Sequence, residues 1–161
     1  MPKYQEQYQV DRQVMAINAF AAMRGLTARH YGDTSRIDAV AFALGVDKYS
    51  IEHKGRDLVA KKYIAPDGDG IFFEKSKLAA FTASGLPGVF VVSFWPISSL
   101  ALYPDSIFCI EADLVEPLKE TWMLRGNRAG ERVDYGRNVP GSMLTEIDKA
   151  WWPRRDSNPR P

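Results

Sequence analysis

A chain of 161 residues, 45% of them hydrophobic, is long enough to bury one substantial core. A formal net charge of +1 confines any nucleic-acid surface to a local basic patch, and the single cysteine, Cys109, excludes an internal disulfide framework or a cysteine zinc cluster and suits a reducing compartment. The polar start, Met1 to Glu6, and the lack of any apolar run near the ~20 residues a membrane span needs give the expectation of a cytoplasmic protein with no membrane partner.

In chain order, apolar residues at Val10, Val14, Ile17, Phe20 and Ala21 predict an amphipathic helix from Gln5 to Met23, with Gly25 as its stop. Leu26 to Tyr31 reads as a first strand and Ile37 to Leu44 as a second, with Ala39, Ala41 and Ala43 on one face and Asp38, Val40 and Phe42 on the other. Both faces are mostly apolar, which marks a central strand and makes Asp38 an unexpected resident, since a buried carboxylate needs a partner or a metal. Gly45 to Lys48 is the expected turn, and Tyr49 to Lys54 the third strand. Gly55 to Gly70 reads as a polar connection whose Arg56, Lys61 and Lys62, with Lys54, could grip phosphates. The string Asp67-Gly68-Asp69-Gly70 lacks the ligand series of a calcium loop and is read as a turn.

Ile71 to Ala83 is expected as a second helix, with Leu78 and Phe81 inward. Val89 to Trp95 is apolar throughout and predicts a buried strand, followed by a strand pair at Leu100–Tyr103 and Ile107–Ile110. Cys109, inside the last of these, is expected to be a buried, inert thiol. Thr121 to Tyr135 suggests a hairpin turning at Gly126-Asn127 or Ala129-Gly130. Met143 to Trp152 suggests a closing helix capped by Thr145, with Ile147 and Trp151 inward. Residues 1–152 are therefore expected to form one domain and residues 153–161, rich in Pro and Arg, a disordered tail.

The chemistry concentrates at Asp38 and Glu52-His53-Lys54. On a strand, Glu52 and Lys54 share a face while His53 points away, and an antiparallel neighbour brings Asp38 alongside Glu52. Two carboxylates and an ammonium around one point suit a hard divalent cation and a phosphodiester. The bland alternative is a salt-bridge group, a common outcome for an acid-x-Lys triplet.

The order of elements and the stretches Asp38-Ala39-Val40-Ala41-Phe42, Gly45 and Ile51-Glu52-His53-Lys54-Gly55-Arg56 resemble the PD-(D/E)XK nuclease superfamily, and within it the archaeal Holliday-junction resolvases. The similarity covers residues 10–93, continuing through Lys62-Tyr63-Ile64, Leu78, Phe81 and Val89-Phe90-Val91-Val92. Ile37 stands where the family has proline. The resemblance implies an α/β, restriction-endonuclease-like mixed sheet flanked by helices. It also implies a DNA endonuclease, with branched or junction DNA among its substrates and a symmetric homodimer for paired cuts. It makes Asp38 and Glu52 ligands of Mg2+ or Mn2+ and Lys54 the catalytic lysine. The family's first helix adds a glutamate to the metal site. Neither Glu6 nor Asp11 falls on that position, and Glu6 is favoured for its reach. Glu74, Lys75 and Lys77 are candidates for a supporting residue on the second helix. The rival class is a non-catalytic nucleic-acid-binding or assembly module that retains the fold, and a third is a small α/β protein with a structural ion cluster.

Overall fold

The computed structural model describes residues 7–32, 35–127 and 130–154. Glu6 and residues 155–161 of the expected tail lie outside the described residues. The elements are α1 (Gln7–Met23), β1 (Thr27–His30), β2 (Ala39–Ala43), β3 (Val46–Asp57), β4 (Ile71–Glu74), α2 (Lys75–Ser84), β5 (Gly88–Trp95), β6 (Ser106–Glu111), α3 (Ala112–Val115), β7 (Glu120–Asn127), β8 (Gly130–Val139) and β9 (Thr145–Glu146). Short 3-10 turns cover Leu58–Ile64, Gly141–Met143 and Lys149–Trp151.

The first sheet runs β1-β2-β3-β5-β6-β9, and the second β4-β8-β7. The first is mixed: β1, β2 and β3 form an antiparallel meander, β3 pairs with β5 in parallel, and β6 and β9 follow antiparallel. A parallel pair cannot be joined by a tight turn, and here the crossover carries β4 and α2. The first sheet is buried on both faces. Ala16, Ile17, Ala19 and Phe20 of α1 pack on Ala39, Ala41, Ile51, Val89 and Val91. On the opposite face, Leu78 and Phe81 of α2, with Ile71, Phe73 and Val139 of the second sheet, pack on Phe90, Val92, Phe94 and Phe108. The apolar run of β5, broken only by Ser93, follows from this, since all eight of its residues are buried.

The mixed α/β architecture and the order helix, three strands, helix, buried strand agree with the sequence reading, while several local expectations do not. The β2–β3 turn is tighter than expected: Leu44 and Gly45, at φ 52° and 75°, make the two-residue reversal, and Val46 already pairs with Ala43. β3 continues to Asp57 and a 3-10 turn follows, so the stretch after Lys54 is not a loose connection. Ile71 to Glu74 is strand rather than helix, because the Ile-Phe-Phe run finds a partner in β8, and α2 starts only at Lys75. Leu100 to Tyr103 is not a strand; Leu100 stands 85% exposed.

The hairpin at Thr121–Tyr135 is present, but Gly126 and Asn127 pair with Glu131 and Gly130 instead of turning, and Ala129 of the other expected turn lies outside the described residues. The expected closing helix is absent. Thr145 pairs with Cys109, the Ile147 amide donates to the Ile107 carbonyl, and this ladder outcompetes a helix that Thr145 would have capped. Ile147 is buried as expected, whereas Trp151 is exposed. Cys109 is buried, and burial pushes its thiol up to about 11. Among the described residues no helix is long and apolar enough to cross a membrane.

Candidate active site

The site arises from unequal pairing along β3. On one side β3 pairs with β5 from Ser50 to Asp57, whereas on the other it pairs with β2 only from Val46 to Ile51. From Glu52 onward the β2 side of β3 is therefore open, and the chain ahead of β2 departs at Asp38. Two hydrogen bonds pin that departure: the Asp38 amide donates to the Ile51 carbonyl at 3.0 Å, and the Asp38 carboxylate accepts the His53 amide at 2.7 Å. The register, with Ala39 opposite Ile51, continues to put Asp38 across from Glu52.

Because residues alternate on a strand, Glu52, Lys54 and Arg56 rise in a row on the face covered by α2 and the second sheet, and His53 turns to the α1 side. There a His53 ring nitrogen lies 2.7 Å from Ser93 Oγ, which also accepts the Trp95 indole N–H. Burial, with the Arg56 charge second, lowers the His53 pKa to about 3, so the imidazole is neutral. Its part is to brace β3 against β5.

Glu52 and Lys54 are 6% and 7% exposed, which sets their electrostatics. Burial first, and then the neighbouring Asp38 charge, raises the Glu52 pKa to about 7 even though Lys77 Nζ bonds its Oε1 at 2.9 Å. Burial works against the Lys77 charge too, but the hydrogen bond and charge of Glu52, with Asp38 and Glu74 behind, outweigh it and raise its pKa. Lys54 Nζ donates to Glu74 Oε1 at 2.8 Å, and Arg125 of β7 holds the same oxygen at 2.6 Å. Burial lowers the Lys54 pKa despite Glu74. Glu74 is itself pulled below the usual carboxylate range, since Lys54 and Arg125 overcome its own burial. Its second oxygen, Oε2, is buried with no hydrogen-bond partner among the described residues.

Glu52, Lys54, Glu74, Lys77 and Arg125 line a cleft of about 540 Å³ whose other wall is α1, through Tyr8, Gln9, Arg12 and Gln13, with Trp95; Asp38 neighbours Glu52 but is not part of the lining. Five cationic side chains (Arg12, Lys54, Arg56, Lys77, Arg125) face three acids (Glu52, Asp57, Glu74) along the lining. Among the described residues, neither Arg12 nor Arg56 makes an ion pair: Arg12 stacks on Trp95 at 4.5 Å and Arg56 donates to the Gly55 carbonyl. A cleft of this kind attracts an anion.

Asp38, Glu52 and Lys54 come together, but with different partners from those a three-residue salt-bridge group would use: the lysine goes to Glu74 and Lys77 takes Glu52. Of the expected phosphate-gripping residues, Lys54 and Arg56 line the cleft, while Lys61 is engaged with Asp105 at 2.7 Å and Lys62 with the Tyr63 ring. Asp11 does not line it and accepts from Gln7 at 3.0 Å; α1 presents glutamines instead of acids. Lys75 pairs outward with Glu120. Sequence reasoning missed Arg12, Trp95 and Arg125. Arg12 carried a usable signal, lying on the Tyr8–Arg12 face of α1 one turn apart, whereas Arg125 reaches the site only through the fold of β7.

Among the described residues no three His, Cys, Asp or Glu side chains converge into a ready cation cage. The donor set nonetheless fits Mg2+ or Mn2+, which take one or two carboxylates and fill the remaining positions with water and phosphate oxygens. Asp38 and Glu52 would hold the ion, whose charge would offset the burial and, second to it, the Asp38 repulsion that raise Glu52. No family model matches this chain, and neither a curated protein nor a solved structure matches it.

Proposed function

We propose that the protein is a divalent-metal-dependent nuclease of the PD-(D/E)XK superfamily, with a restriction-endonuclease-like fold, that hydrolyses DNA phosphodiester bonds in the cleft between α1 and β3. One observation carries this reading: Asp38 and Glu52 meet where β2 leaves β3, with Lys54 next on the same face and cations in excess around them. Bound Mg2+ or Mn2+ supplies Lewis acidity and an activated water for attack at phosphorus.

The chain's own residues do the rest. Asp38 and Glu52 fix the ion, and Lys54, held by Glu74, stabilises negative charge building on the phosphoryl oxygens. Arg12 and Arg56 bind flanking phosphates as charge-assisted donors. Lys77, which pairs with Glu52 at 2.9 Å, would be a further cationic donor to a backbone phosphate at the cleft.

The test is cleavage of branched, duplex and single-stranded DNA with Mg2+ or Mn2+. Glu52→Gln and Lys54→Ala should each lower the rate by about 10²- to 10³-fold; activity surviving both substitutions sinks the mechanism. Paired cuts at a junction further require a symmetric dimer, read by sedimentation.

A second reading, a nucleic-acid-binding module without catalysis, is favoured by the glutamines Gln9 and Gln13 where α1 faces the cleft. Manganese titration separates the two, since the module binds no ion through Asp38 and Glu52.

A further inference from the structure

Beside the cleft lies a second cavity of about 710 Å³, and the two share Arg56 and Arg125 as a common wall. Its character differs. Ala60, Ile71, Phe72 and Met123 give it an apolar floor, Tyr63 stands at its side, and Asn138 and Asp69 supply polar groups at the edge. The Tyr63 backbone is fixed, because its carbonyl accepts the Gly70 amide at 2.8 Å and closes the turn that follows the 3-10 helix. The residue as a whole is 42% exposed. Phe72 is 6% exposed and pairs in register with Asn138, so the floor and one polar rim group are held by the same β4–β8 ladder.

An apolar chamber with an aromatic wall opening onto two guanidiniums matches a particular ligand shape, a flat ring attached to an anion. Arg125 is already neutralised by Glu74 and Asp134, but Arg56 is not ion-paired among the described residues and sits beside that like charge. We propose that this cavity receives one unpaired nucleobase next to the phosphate bound in the cleft. Its face lies against Tyr63, its edge meets Asn138, and its phosphate rests on Arg56. The inference rests on the nuclease reading and deepens it. A base inside the chamber is out of its stack, so the favoured substrate is a gap, flap or branch point and not continuous duplex.

The experiment uses the Glu52→Gln protein without added metal, so that cutting is suppressed, and fluorescence anisotropy with two gapped duplexes. One carries a single unpaired thymidine in the gap and the other an abasic residue at the same place. Base–aromatic stacking predicts that the thymidine duplex binds about 5- to 100-fold more tightly. Tyr63→Ala should erase that difference and Tyr63→Phe should keep it, while circular dichroism confirms that both variants fold. Equal affinity for the two duplexes, a preference that survives Tyr63→Ala, or no binding to either overturns the proposal.

Wild-type cleavage of the same duplexes with Mn2+ separates the two readings. Cutting without regard to the base keeps the nuclease and discards the base pocket. Base-dependent binding without cutting keeps the pocket and discards the nuclease.

Discussion

The two halves of β3 make the most instructive comparison in the molecule. From Val46 to Ile51 the strand is hairpinned to β2, and at its end Ser50 and Ile51 are fully buried. From Glu52 to Asp57 it keeps β5 but loses β2, and its side chains become Glu, His, Lys, Arg and Asp around one glycine. The backbone is continuous, so the change of chemistry follows the change of pairing. Only Ser50 and Ile51 have partner strands on both sides, and there the side chains are small or apolar, whereas Asp47 and Lys48, with β2 alone beside them, stand exposed to water. Where one side opens, charges can be half-desolvated, and their pKa values move without the chain unfolding. The first half stabilises the fold, and the second sacrifices stability to hold a charged site.

The largest expected effect comes from breaking the closed half. Ile51→Ala removes a fully buried side chain and should cost about 2–5 kcal/mol in urea unfolding, with the Mn2+ affinity of the remaining folded protein unchanged. Loss of ion binding in step with stability would erase the distinction between the halves.

An intermediate effect belongs to Glu52. Its folded pKa of about 7 lies above the ordinary value of 4.5, so the folded state holds more protons than the unfolded state between those limits. The stability from this group is full below pH 4.5 and is lost as pH rises through 7. His53 runs the other way: buried neutral with a pKa of about 3 against an ordinary 6.5, it destabilises the fold as pH falls through that window. Comparing wild type with Glu52→Gln isolates the carboxylate. Without metal, the variant should gain on the order of 1 kcal/mol relative to wild type on going from pH 5 to pH 8, with the gain cancelled in wild type by saturating Mn2+. A difference that does not vary with pH would place Glu52 outside the desolvated half.

The smallest effect tests the tip of the closed half. Leu44 is fully exposed at φ 52°, in the left-handed region where a leucine is strained. Leu44→Asn should raise stability by about 0.5–1 kcal/mol, read as a small rise in Tm.

The comparison also explains what was legible in the sequence. Asp38, Glu52 and Lys54 stood out because a period-2 pattern fixes which side chains share a face, and the antiparallel hairpin then fixes their neighbours. The partners that tune them did not stand out. Glu74 was read within a helix, yet it ends a strand whose partner, β8, lies more than sixty residues on. Arg125 reaches Glu74 from the far hairpin, and Lys77 reaches Glu52 only because α2 begins four residues later than its apolar spacing suggests. Pairings across such separations depend on how the second sheet packs, which local periodicity does not encode. The closing segment fails for the same reason: Thr145 to Ile147 is helical by pattern and becomes a ladder by proximity to β6.

Gly88 gives one feature of the packing a wider meaning. A Cβ there would overlap the Phe81 ring, so α2 rests directly on the backbone of β5. Lys77 lies one helical turn before Phe81 on the same helix face. The seat at Gly88 thus works as a spacer gauge. A single methyl group at this chemically silent position would lift the helix and lengthen the reach of Lys77 to Glu52, altering the charge at the site from outside it.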